Sequence, residues 1–141
     1  MKTFEKQLLN MNTNNYTIKS QEALQSAVQI AQGNGQQAIE PAHLLKGVVQ
    51  DGENVVNFIF NKLGVNKGAV LSALDGIIAS YPKVSGGNPY LSSDSNRVMT
   101  KAQQLASEMG DQYISLEHIF MAIVAGKEQT GLRFFYGLIR K

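Results

Sequence analysis

The chain has 141 residues, 43% of them hydrophobic, and a formal net charge of +2; that is enough apolar content for one packed domain or two small ones. Its Lys and Arg residues are scattered rather than clustered, which argues against the basic stripe of a nucleic-acid-binding surface. Cysteine is absent, so there is no disulfide framework and no thiolate metal site, and no apolar run approaches the roughly 18 residues of a membrane span; a cytoplasmic protein is expected.

Residues 1–15 end in Asn10, Asn12, Asn14 and Asn15 and read as a flexible leader, without the cleavage site of a signal peptide. Thr17 is placed to cap a first helix. Behind it Leu24, Ala27, Val28 and Ala31 fall at i, i+3, i+4 and i+7, one face of that helix. Gly33-Asn34-Gly35 stops it. Pro41 opens a second helix, where its missing N–H is not needed; Leu44, Leu45, Val48 and Val49 form its stripe up to Asp51-Gly52. A third helix is predicted over about 54–63, with Phe58, Ile59 and Leu63 buried and Gly64 as the stop. A fourth follows Asn66, with Val70, Leu71, Leu74, Ile77 and Ile78.

Tyr81-Pro82-Lys83-Val84-Ser85-Gly86-Gly87-Asn88-Pro89 is turn and loop chemistry and divides the chain. Ser92, Ser93 or Asp94 then caps a helix carrying Val98, Ala102, Leu105, Ala106 and Met109, which Gly110 ends. Ser115 caps the next, with Ile119, Phe120, Ile123 and Val124, and a last helix after about Thr130 carries Leu132, Phe135, Leu138 and Ile139.

His43 and His118 stand 75 positions apart (118 − 43), and sliding the chain by that amount aligns its halves without a gap. Ala27 meets Ala102, Gln29 meets Gln104, Ala31 meets Ala106, Gly35 meets Gly110 and Ile39 meets Ile114. The identities coincide with stripe positions and helix stops, as they do when one structural unit is duplicated. The expected fold is all-α: a pseudo-two-fold duplicated multi-helix repeat with about seven to eight helices in one domain. The expected divisions are a leader at 1–15, a first repeat at 16–81, a linker at 82–91 and a second repeat at 92–141. The second copy stops at Lys141, where the first still has its helix at 66–80, so a repeat truncated before its last helix, cut from something longer, is expected.

Catalytic signatures are missing. Gly64-Val65-Asn66-Lys67-Gly68 lacks the spacing of a phosphate-cradling loop, and neither an H-E-x-x-H nor a nucleophile elbow occurs. Each histidine falls near position N3 of its helix, where the dipole disfavours imidazolium and a neutral ring can bond back to the cap. A metal site would have to join His43 and His118 and recruit Glu40 and Glu117; equivalent positions in a repeat account for the pair without it.

Thr17-Ile18-Lys19-Ser20-Gln21-Glu22-Ala23-Leu24 and Ile39-Glu40-Pro41-Ala42-His43-Leu44-Leu45 resemble the N-terminal repeat domain of Clp chaperones. Asn96-Arg97-Val98-Met99, Gly110-Asp111-Gln112-Tyr113-Ile114-Ser115 and Glu117-His118 look like its second repeat, so the resemblance covers about residues 11–141. The ClpB-type disaggregase is the most similar variant. The resemblance implies a module that binds unfolded or aggregated polypeptide and helps feed it into the pore of a hexamer. It also implies that ATP and Mg belong to AAA+ ATPase modules absent from this chain, with no cofactor, metal or catalysis in the domain itself. Implied partners are protein clients, the other domains of the parent hexamer and an adaptor protein; nucleic acid and membrane are not among them. An adaptor-docking domain of a protease-linked ClpA or ClpC unfoldase is the alternative, and a small metal-dependent enzyme a remote one.

The resemblance carries substrate handling to Thr17, Asp111 and Glu117, and an apolar groove to Leu105 and Tyr113. Each has a local reading beside it: Thr17 as a helix cap, Glu117 as a favourable first-turn charge, Asp111 as the end of a loop and Leu105 as core. Two further groove leucines of the family correspond to Lys101 and His118, which makes the groove more polar here. The residues before Met11 also depart from the family, whose members begin near that methionine.

Overall fold

In the computed structural model, which describes residues 15–84, 86–126 and Leu132, the first helix, α1, runs Ile18–Gly33. The Thr17 hydroxyl accepts the Ser20 N–H at 3.1 Å, satisfying one of the donors a helix leaves open in its first turn. After α1 the chain reverses through Gly35 at φ 68°, a left-handed conformation that suits glycine. α2 (Pro41–Asp51) begins on its proline. α3 (Glu53–Leu63) ends on left-handed Gly64. In α4 (Lys67–Ser80) the Asn66 side chain accepts the Ala69 N–H. Ser92 does the same for Ser95 at the start of α5 (Ser93–Glu108), and α6 (Leu116–Ala125) follows Ser115.

The expected apolar faces hold: Leu24, Ala27, Val28, Ala31, Leu44, Leu45, Val48, Val49, Ile119, Phe120 and Ile123 are all buried. The rings of Phe60 and Phe120 meet at 6.1 Å, linking the two copies. Gly47 sets the spacing of α1 and α2, since a Cβ there would lie 2.4 Å from the Ala23 carbonyl oxygen.

The duplication is visible in the hydrogen bonds, and it interlocks. The Ser20 hydroxyl donates to the Ile114 carbonyl at 2.9 Å, and its counterpart Ser95 donates to the Ile39 carbonyl at 2.6 Å. The Thr17 and Ser92 N–H groups donate to the same two carbonyls, each at 3.1 Å. Each copy therefore seats the start of its first helix on the turn of the other copy. Two-residue strands β1 (Ala38–Ile39) and β2 (Tyr90–Leu91) pair in parallel, and Tyr16 and Ile114 form the matching bridge. These short ladders fall in segments that the sequence reads as turn and linker.

Three expectations change. The described residues hold six helices rather than seven or eight; the helix expected after Thr130 lies outside them, apart from buried Leu132. On α3, Phe58 is 63% exposed and Leu63 is also on the surface, while Val56 and Phe60 enter the core. At 100° per residue Val55, Val56, Ile59 and Phe60 share one face of this 11-residue helix, while Phe58 falls on the polar side between Asn54 and Lys62. Met109, read as part of the α5 stripe, caps the C-terminal end of α5 and is 57% exposed.

Candidate functional site

Both histidines sit at N3 of their helices, and the same wiring holds each. The Glu40 N–H donates to His43 Nδ1 at 2.9 Å, and the Ser115 N–H donates to His118 Nδ1 at 2.9 Å. An accepting Nδ1 places the ring proton on Nε2. His43 Nε2–H then donates to Gln36 Oε1 at 2.8 Å, and the Gln36 amide donates to the Ile78 carbonyl at 2.6 Å. In the second copy Asp111 replaces Gln36, and His118 Nε2 meets Asp111 Oδ2 at 2.8 Å. The Tyr81 ring packs on His43 with centroids 5.5 Å apart. Burial first, then the Lys46 charge, lower the His43 pKa to about 4; burial, with Glu40 and Asp94, pushes the Tyr81 hydroxyl up to about 12. Both ring nitrogens of each histidine are therefore engaged inside their own copy. Among the described residues no group of three or more His, Asp or Glu could hold a metal ion.

The turn of the first copy is bonded to the chain that follows α4: Lys83 Nζ donates to the Asn34 carbonyl at 2.8 Å, the Val84 N–H to the Gly35 carbonyl at 2.9 Å, and the Gln37 amide to the Asn88 carbonyl at 3.0 Å. At the turn of the second copy Met109 is 57% and Tyr113 50% exposed. Leu105, half-buried, stands one helical turn before Met109 and so on the same side of α5. The bond from Thr17 to Ile114 brings the start of α1, with Ile18 73% exposed, to this end of the domain. Glu117 projects from the first turn of α6 and is exposed.

Of the five residues singled out from the sequence, Tyr113 and Glu117 face solvent, and Leu105 is half-buried. Thr17 and Asp111 also have internal partners: Thr17 caps α1, and Asp111, although its side chain is 49% exposed, holds His118. Met109 and Ile18 are exposed apolar residues that the sequence reading did not select. Their counterparts in the other copy are the polar residues Asn34 and Ser93. Lys101 lines a separate cleft of about 210 Å³ between α5 and α6, with Asp94, Arg97, Val98, Ala122 and Ala125 among its walls. There Val98 and Ala122 stand where the first copy has Ala23 and Gly47. Among the described residues no helix is long and apolar enough to cross a membrane.

Residues 15–136 match the family described as the Clp repeat (R) N-terminal domain. The chain is 60% identical over 117 residues to the chaperone protein ClpB of Bacteroides thetaiotaomicron, a match covering 83% of this chain and 14% of that protein. It thus spans about one seventh of that relative's length. Among solved structures, the Hsp104 N-terminal domain from Candida albicans is similar with a TM-score of 0.77 at 15% identity, covering 89% of this chain and 82% of that one. A ClpV N-domain in complex with a VipB peptide is similar with a TM-score of 0.78 at 17% identity, covering 92% and 80%. At these identities the two structures establish a shared fold.

Proposed function

This chain belongs to the Clp repeat N-terminal domain family, and from that premise we propose that it is the substrate-recognition module of a ClpB-type disaggregase, binding unfolded or aggregated polypeptide and helping deliver it to a hexamer's pore. The module is a binding domain; ATP hydrolysis is assigned to AAA+ modules outside this chain. The protease-linked ClpA or ClpC alternative draws no support from the relative named above, which is a ClpB protein. The proposed division of the chain is a leader at 1–15, a first repeat at 16–81, a linker at 82–91 and a second repeat at 92–141.

One observation carries this reading. Met109 and Tyr113, at the turn between α5 and α6, are exposed apolar residues, and Leu105, one helical turn before Met109, is half-buried. Exposed apolar side chains grouped on one face are the usual mark of an interaction site. Such a face accepts apolar segments with little regard to sequence, and exposed Glu117 adds a carboxylate for basic residues in a client. Weak contacts suffice, because one domain per subunit of a hexamer gives avidity on an aggregate that repeats its exposed segments. The complex of a ClpV N-domain with a VipB peptide supports peptide binding by this fold.

The test is chemical-shift mapping with a permanently unfolded, carboxymethylated protein as client. Shifts are expected to cluster at Leu105, Met109, Tyr113 and Glu117. Tyr113→Ala is expected to weaken binding about fivefold, the equivalent of about 1 kcal/mol. Shifts confined to the α3 surface around Phe58, or no shifts at all, would reject this site.

A further inference from the structure

The family resemblance carries client handling to Asp111, and its side chain is 49% exposed, yet its carboxylate already has a partner. Oδ2 lies 2.8 Å from His118 Nε2, and the His118 ring is only 3% exposed. The opposite ring nitrogen accepts the Ser115 N–H at 2.9 Å, with Ser115 Oγ 3.0 Å away. Asp111, His118 and Ser115 form one chain of contacts that spans the turn from the end of α5 to the start of α6. Tyr113 lies inside that span, and Glu117 is the residue before His118.

We infer that Asp111 is a positioning residue, orienting His118 so that the turn 111–117 holds Tyr113 and Glu117 toward the client, and that it does not itself contact the client. The first copy supplies the internal comparison. There Gln36 occupies the place of Asp111 and accepts from His43 at 2.8 Å, with the same N3 bond to Glu40. The turn forms there with a neutral amide oxygen, so the element it needs is an acceptor at the ring's Nε2–H and not a negative charge. A carboxylate in direct contact with basic client residues would need the charge. The two roles therefore separate on one isosteric change.

The inference rests on the proposed client binding, so the experiment has one arm that uses a client and one that does not. Asp111→Asn keeps the acceptor and removes the charge; Asp111→Ala removes both. In the client-free arm, imidazole nitrogen chemical shifts report the tautomer of His118, and amide exchange reports the Ser115–His118 turn. The parent and Asp111→Asn are expected to show the Nε2–H tautomer and equal protection. Asp111→Ala is expected to lose the single tautomer and to exchange roughly tenfold faster at Ser115, the factor that corresponds to one lost bond of modest strength. In the binding arm, with the carboxymethylated client, Asp111→Asn is expected within about twofold of the parent and Asp111→Ala roughly tenfold weaker. Equal weakening by Asn and Ala would overturn the inference, because charge would then be what the client reads. An Asp111→Ala protein with unchanged tautomer and exchange would overturn it too. If the parent binds no client, the binding reading fails, and the tautomer and exchange data still decide whether Asp111 orients the turn.

Discussion

Lowering the pH from 7 to 5 is expected to remove about 2 kcal/mol of folding stability through His43 alone. The ring is fully buried, its Nδ1 accepts a backbone N–H and its pKa is lowered from 6.5 to about 4. The folded pKa lies below the unfolded one, so the unfolded chain takes up the proton first. The contribution is complete above the unfolded value, declines as pH falls toward about 4, and is constant below it. A shift from 6.5 to about 4 corresponds to roughly 3 kcal/mol in total, of which about 2 is lost by pH 5. The assay is urea unfolding at pH 7, 6 and 5, comparing the parent with His43→Gln. The variant loses stability at every pH, but its side chain cannot titrate in this range. Every other ionisable group, His118 included, is shared by the two proteins and cancels in the difference. The reasoning fails if the two stability profiles run parallel from pH 7 to 5.

Two further substitutions test the packing. Gly47→Ala would put a Cβ 2.4 Å from the Ala23 carbonyl oxygen, so α1 and α2 must separate; a loss of about 1–3 kcal/mol is expected in urea unfolding, and a neutral result would refute the close approach. Ser20→Ala and Ser95→Ala each delete one buried hydroxyl bond between the copies. Each is expected to lower stability by about 1 kcal/mol, by similar amounts; a loss confined to one variant would contradict the reciprocal interlock.

Much of this molecule is legible in the sequence because it is written twice. The 75-position register, the stripes Leu44, Leu45, Val48 and Val49 against Ile119, Phe120, Ile123 and Val124, the caps at Thr17 and Ser115 and the N3 histidines all depend on local periodicity and helix-end chemistry. Those rules act over a few residues and survive into the fold. The register does not by itself sort surface from core: Met109, Ile18 and Phe58 stand against polar Asn34, Ser93 and Arg133 and are exposed, whereas Val28, Ala42 and Leu132 stand against polar Gln103, Glu117 and Asn57 and are buried.

The tertiary structure alone decided how the copies meet. No local pattern in Ser20 or Ser95 says that each hydroxyl will reach a carbonyl of the opposite copy. Nor does the sequence say that the turn after α1 will bond to Lys83, Val84 and Asn88. Asp111 and His118 are seven residues apart, and only the path of the turn between α5 and α6 brings one oxygen of the half-exposed carboxylate to the ring. Short-range chemistry fixes which helices form and where they start. Which side chains then remain available to another polypeptide depends on long-range docking, because docking sets which parts of the surface stay exposed.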